Sequence, residues 1–410
     1  MKMCPLLTIL LPLAVATASA QVAVQAELLY PMTGDLRPIE DGVVLCAKDG
    51  KIEKVGPAGA VAIPDGYRVL KAKVVTPGFI DAHATIGLSG ILNIDRHDQE
   101  QLDKSAPIQP ELRAIDAYNG RDPLVEWIRQ LGITTVHTGH APGALVAGQT
   151  MILKTNVPTI TDPEKNTLRP FSMVASTLGP DGFGGGGKAP GSRAKSLAML
   201  RENLLKAQSH LKKRKKAKED ETPDPDLRLD ALADVLEKKV PFLITARRHH
   251  DIAAALRLQK EFEFRLVLDG ASEAYFLLDE IKEAEVPVLV HPTMARPYGE
   301  NENMTFTLAA KLHAAGIPFA FQSGHEGYVP KTRVVHFEAA LAVAYGLPWE
   351  QALAGCTAAA AELLGIADQV GSLRAGLDAD LALFDGDPLE TVTHCTGVII
   401  DGVVVSGEVK

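Results

Sequence analysis

The residues best suited to chemistry are histidines, and many of them end short apolar runs. Asp81-Ala82-His83-Ala84-Thr85, His137-Thr138-Gly139-His140, Asp269-Gly270, His291-Pro292 and Ser323-Gly324-His325-Glu326 each close such a run. With His249 and His250, this accounts for seven of the chain's 12 histidines. Imidazole titrates near neutral pH and ligates metals, so gathering several of them serves either proton transfer or metal binding. His83, His137, His140, Asp269, His291 and His325 are all of ligand type, and three or four would suffice for one metal with an open position. A His paired with Asp269 or Glu326 would instead run acid–base chemistry without metal. Lys331 and Arg333, just beyond the last cluster, are placed to grip a substrate carboxylate. Lys154 reads as an ordinary surface or core-edge lysine.

Such residues act together only if the chain brings them together. Eight candidate strands alternate with helices: Val74–Ile80, Thr134–Thr138, Met151–Lys154, Phe171–Ser176, Pro241–Ala246, Arg265–Leu268, Pro287–Val290 and Pro318–Gln322. That alternation predicts a (β/α)8 TIM barrel over residues 76–369, and in such barrels the strand ends share one mouth. The strand-end histidines would then face one bowl. Two distant segments, 42–56 and 397–407, are each a pair of β-branched runs joined at Asp-Gly (Asp49-Gly50 and Asp401-Gly402), a hairpin signature. They predict a small β-sandwich domain assembled from residues 21–75 and 370–410.

Composition narrows the function. With 42 Lys and Arg against 51 Asp and Glu, the formal charge is −9, which argues against nucleic acid or an anionic membrane surface as partner. The apolar fraction of 46% is that of a folded globular chain. Residues 1–20 read as a secretory signal peptide: Lys2, an apolar run from Leu6 to Val15, then Ala18-Ser19-Ala20 before Gln21. The expectation is an exported protein, periplasmic or extracellular, with no membrane span after the signal. Cys46, Cys356 and Cys395 show no C-x-x-C spacing and read as buried small apolar residues. A small molecule is the expected partner, and a homo-oligomer is compatible with the sequence.

Val75-Thr76-Pro77-Gly78-Phe79-Ile80-Asp81-Ala82-His83 resembles the strand-one signature of the amidohydrolase superfamily. Gly355-Cys356-Thr357-Ala358-Ala359-Ala360-Ala361 resembles the helix after its strand eight. Gly371-Ser372-Leu373 and Gly376-Leu377-Asp378-Ala379-Asp380-Leu381 resemble its return into the small β-domain. The likeness spans nearly the whole mature chain and is nearest to imidazolonepropionase-like members. It implies hydrolysis of an amide-type C–N bond with one or two divalent metals, zinc foremost, which activate water and polarise the carbonyl. The family's ligands are His-x-His on strand one, Lys or Glu in some members, His on strands five and six, and Asp on strand eight. Here His83 matches the first His, so it is the expected metal ligand. Thr85 stands at the second, Thr245 and Asp269 at strands five and six, and Ser323 or Gly324 at strand eight. The departure leaves two expectations: a rebuilt hydrolytic site using His83, His137, His140, Asp269, His291 and His325, or a barrel that binds a ligand without catalysis.

Overall fold

A computed structural model describes residues 21–91, 97–216, 224–325 and 334–407. The expected signal peptide, Glu326, Lys331 and Arg333 lie outside the described residues.

The chain begins with alternating β-branched residues, and these form β1 (Val22–Leu29), β2 (Ile39–Cys46), β3 (Ile52–Pro57) and β4 (Arg68–Pro77). β1 pairs antiparallel with β2 and parallel with β4, so Val24 lies opposite both Val44 and Leu70. The last described residues supply β14 (Leu381–Phe384), β15 (Cys395–Ile400) and β16 (Val403–Ser406), joined to the first four through β14 and β4. The result is one seven-stranded mixed sheet built from both ends of the chain. Period-two alternation separates its faces: Val22, Val24, Val44 and Leu70 fill one cluster, while Ala23, Val43, Leu45 and Val61 fill another. The Asp401-Gly402 turn has positive φ at both residues, as the tight hairpin between β15 and β16 requires.

Between these segments lie β5 (Phe79–Ala84), α1 (Pro123–Gln130), β6 (Ile133–Thr138), β7 (Val146–Gln149), β8 (Met151–Lys154), α2 (Pro163–Asn166), β9 (Val174–Thr177), α3 (Arg193–Lys216), α4 (Leu227–Leu236), β10 (Phe242–Thr245), α5 (His249–Phe262), β11 (Leu266–Gly270), α6 (Leu278–Glu283), β12 (Val288–Val290), α7 (Leu308–Ala315), β13 (Phe319–Phe321), α8 (Val335–Ala344), α9 (Trp349–Gly355) and α10 (Ala358–Leu364). β9 to β13 pair in sequence order, each parallel to the next. β5 and β6 are also parallel, and a bridge from Ala84 to Gly324 connects β5 to the chain just past β13.

The expected run Val74–Ile80 is divided between two sheets. β4 ends at Pro77 in the seven-stranded sheet and β5 starts at Phe79. Gly78 makes the hinge, since a Cβ there would sit 2.1 Å from the Thr134 hydroxyl oxygen. Strand three departs further from an all-parallel pattern. β8 is antiparallel to β6 and β7 is antiparallel to β9, so Val146 to Lys154 descends between two ascending neighbours. No helix intervenes between β6 and β7.

Reversal puts Lys154 at the opposite rim from the strand-end histidines. Its ammonium is buried against three carboxylates of the C-terminal segment: Asp378 at 2.7 Å, Asp380 at 3.0 Å and Asp401 at 2.5 Å. Lys51 also pairs with Asp378. Burial works against the Lys154 charge, but Asp380, Asp401 and Asp378 hold its pKa well above the ordinary value. Lys154 therefore ties the parallel strands to the seven-stranded sheet and is not a bridging ligand at the mouth.

Candidate active site

Side-chain alternation builds the site in two layers. Leu243, Val267, Leu289 and Ala320, from β10 to β13, belong to one apolar cluster with Ile80, Ala82 and Ile152. Two positions further along the same strands come Thr245, Asp269, His291 and Gln322, which line one cavity. Residues of opposite parity, such as Ile244, Leu268, Val290 and Phe321, pack in the cluster that includes the helices. β5 joins this cavity through an irregularity. Its register against β6 shifts between Asp81 and Ala84, and His83, Ala84 and Thr85 all reach the lining.

At the centre stands a buried pair. His83 Nδ1 lies 3.1 Å from Asp269 Oδ1. The Thr245 hydroxyl donates to Asp269 Oδ2 at 2.5 Å, and the Gln322 amide donates to Oδ1. Burial would raise the Asp269 pKa, but the His83 charge and these donors hold it well below the usual carboxylate range. Burial likewise opposes charge on His83, yet Asp269 prevails and raises the imidazole above its ordinary value. The pairing thus favours an imidazolium facing a carboxylate. His83 Nε2 is buried and has no hydrogen-bond partner among the described residues, leaving one N–H donor unused beside the cavity.

The other histidines divide by environment. His291 lines the cavity, with its ring against Gly324. A Cβ at Gly324 would come 2.7 Å from His291 Cε1, and the φ of +61° there also favours glycine. His325 lines the cavity too, its Nδ1 3.3 Å from the Thr85 hydroxyl. His137 packs 5.5 Å from His83 between ring centroids, but both its nitrogens are engaged: Nδ1 donates to the Ala82 carbonyl at 2.6 Å, and Nε2 meets the Thr150 hydroxyl at 2.6 Å. Burial pushes it down to about 3, so it is neutral. His140 is buried outside the lining, where burial lowers it to about 4. Four of the six expected working residues, His83, Asp269, His291 and His325, therefore share one cavity. His137 buttresses the set and His140 lies apart from it.

Gln322 and Thr150 are functional neighbours that the sequence reading did not single out. Gln322 was legible in principle, because it lies two positions after the inward Ala320. Ser323 does not face the cavity as a carboxylate substitute. Its N–H and hydroxyl donate to Asp81 at 3.0 and 2.5 Å, and burial pushes the Asp81 carboxyl up to about 6. Glu273 caps α5, accepting from the backbone N–H and the ring of His249 at 2.8 and 2.6 Å.

These donors do not fit a zinc centre. Three protein ligands are the usual minimum, and no group of three His, Cys, Asp or Glu side chains suited to a metal occurs among the described residues. Both oxygens of Asp269 and both nitrogens of His137 are already committed within the protein.

Comparison with known proteins agrees with this architecture. Residues 306–410 match the model of the amidohydrolase family. An amidohydrolase of Thermotoga maritima MSB8 superposes with a TM-score of 0.86 at 28% identity, covering 94% of this chain and all of that one. The amidohydrolase tasK of Hapsidospora irregularis is 24% identical over 86% of this chain, which spans only 38% of that relative's length. An imidazolonepropionase of Xanthomonas oryzae pv. oryzae is 37% identical over 79 residues, a fifth of either chain. The C-terminal quarter of the chain is thus similar to the amidohydrolase family, and nearly its whole length shares the fold of the Thermotoga amidohydrolase.

Proposed function

We propose that the protein hydrolyses an amide-type C–N bond in a small molecule by using the His83–Asp269 pair. The observation that carries this reading is the buried Nε2 of His83, which has no hydrogen-bond partner among the described residues, backed by a carboxylate that favours the protonated ring. In this scheme water attacks the carbonyl carbon and passes a proton to His291 or His325. The developing oxyanion is stabilised by the His83 N–H, a preorganised donor in a dry site. His83 then protonates the departing nitrogen as the C–N bond breaks, yielding a carboxylic acid and an amine. The cavity has a volume of about 20 Å³, room for one water molecule, which supports a water held beside the pair with substrate entering above it. The accompanying fold reading is a closed barrel carrying the two-segment β-domain as a sandwich, supported by the Ala84–Gly324 bridge.

The small cavity also favours a second reading, a ligand-binding barrel without turnover. A panel of N-acyl amino acids, dipeptides and cyclic amides, assayed with and without a chelator, separates the alternatives. The proposal expects turnover that survives chelation and is lost in His83→Asn. Turnover abolished by chelation would return the site to zinc chemistry, and saturable binding without turnover would establish the second reading. Export is a further proposal, resting on residues 1–20. It expects a mature N-terminus at Gln21 in protein recovered outside the cytoplasm.

A further inference from the structure

We propose that Arg247 reads a carboxylate on the substrate, making the protein selective for anionic amides such as N-acyl amino acids. This rests on the hydrolytic reading above and adds the substrate's charge. Arg247 follows β10 and lines the same cavity as His83, Asp269, His291 and His325. Its side chain is 19% exposed. The backbone is fixed by the Glu273 N–H, which donates to the Arg247 carbonyl at 2.9 Å, and Asp181 takes Nε at 3.1 Å. That single bond orients the guanidinium and leaves the two Nη groups without a protein acceptor among the described residues. Gly270 lies alongside: a Cβ built there would be 3.6 Å from Nη1, at ordinary contact distance.

The charge balance points to the same ligand. Asp269, the one carboxylate among the described lining residues, is satisfied by His83, Thr245 and Gln322 and makes no hydrogen bond to Arg247. Arg247 is therefore the lining's permanent cation, presenting two parallel N–H donors. Carboxylate is the group whose geometry that fork matches. Gly270 directly follows Asp269, so a carboxylate held by Arg247 lies near the acid–base pair. An amide one carbon from that carboxylate, as in an N-acyl amino acid, suits this short separation.

The test uses the full chain and matched pairs: N-acetyl-L-alanine, N-acetyl-L-leucine and N-acetyl-L-phenylalanine, each beside its C-terminal amide. Release of free amine and calorimetric binding are measured for every compound. The expected wild-type preference for acid over amide is about tenfold or more in kcat/KM, the scale of one charge-assisted hydrogen bond. Arg247→Met should collapse that ratio towards one, and Arg247→Lys should restore part of it. Equal use of acid and amide by the wild type, or an equal loss for both in Arg247→Met, would make Arg247 a structural residue and overturn the proposal. If none of the compounds is hydrolysed, the hydrolytic reading fails on its own. A binding preference for the acids that vanishes in Arg247→Met would then still uphold the role of Arg247, whereas equal binding or none would overturn it.

Discussion

Two buried ionic centres sit at opposite ends of the same strands, and they are built differently. At the lower rim, Lys154 and Lys51 meet three carboxylates, one of which, Asp380, is lifted to about 6 by burial and has an Oδ2 without a hydrogen bond. At the mouth, Asp269 is satisfied, but its partner His83 keeps an Nε2 that makes no full hydrogen bond among the described residues. A buried polar group without a partner costs stability. The two costs differ in place: the His83 donor borders a cavity, whereas Asp380 Oδ2 faces only Lys154 of the protein itself. The contrast separates a catalytic candidate from a structural lock more sharply than residue type does, since both centres consist of cations paired with aspartates.

The largest expected effect belongs to the lock. Lys154→Met leaves three carboxylates facing one another and should cost about 3–5 kcal/mol of stability, read from urea unfolding. A loss under 1 kcal/mol would erase the distinction drawn here. At the mouth, His83→Asn should lower turnover of the best panel substrate by about 100-fold or more while moving the melting temperature far less than Lys154→Met does. Thr245→Val removes a donor to an ionised group and should cost about 2 kcal/mol in the same urea experiment.

Acidity sharpens the comparison. The stabilisation from His83 is complete below its ordinary value of 6.5 and is lost as pH rises through its raised folded value. That from Lys154 is complete below 10.5 and persists throughout the neutral range. As pH rises above 6.5 the His83 contribution should therefore fade while that of Lys154 holds, so the accompanying fall in melting temperature should diminish in His83→Asn and persist in Lys154→Met. The smallest effect is expected at Asp81. Its pKa is raised to about 6, so folded stability declines as pH climbs from 3.8 to that value. Asp81→Asn keeps an acceptor for the Ser323 N–H and a donor for its hydroxyl. It should change stability at pH 3, where both forms are neutral, by no more than about 0.5 kcal/mol and be more stable than wild type at pH 8.

Much of this arrangement was legible from local pattern. The apolar runs beginning at Pro241, Arg265, Pro287 and Pro318 became β10 to β13 within a residue or two, because short buried strands bounded by proline and glycine announce themselves. Their alternation correctly brings Asp269, His291 and Gln322 to one layer. Direction was not legible. Met151–Lys154 reads identically ascending or descending, and only its pairing with β6 reveals that Lys154 faces the other rim. The division at Gly78 did carry a signal, since Pro77-Gly78 is a turn dipeptide between two apolar pairs, Val74-Val75 and Phe79-Ile80. The state of His137 was hidden, since the Ala82 carbonyl and Thr150 that occupy its nitrogens are recruited by folding and carry no motif.

The descending course of β7 and β8 also decides where the molecule tolerates alteration. The connection from β6 to β7 crosses the mouth and carries His140 and Pro142, whereas the stretch between β8 and β9, residues 155–173, emerges on the far side. Lengthening or tagging the chain around Pro163 should thus be neutral for substrate handling, while a comparable insertion after Gly139 should disturb it. Engineers seeking an attachment point, or a graft to vary specificity, have their two addresses on successive loops.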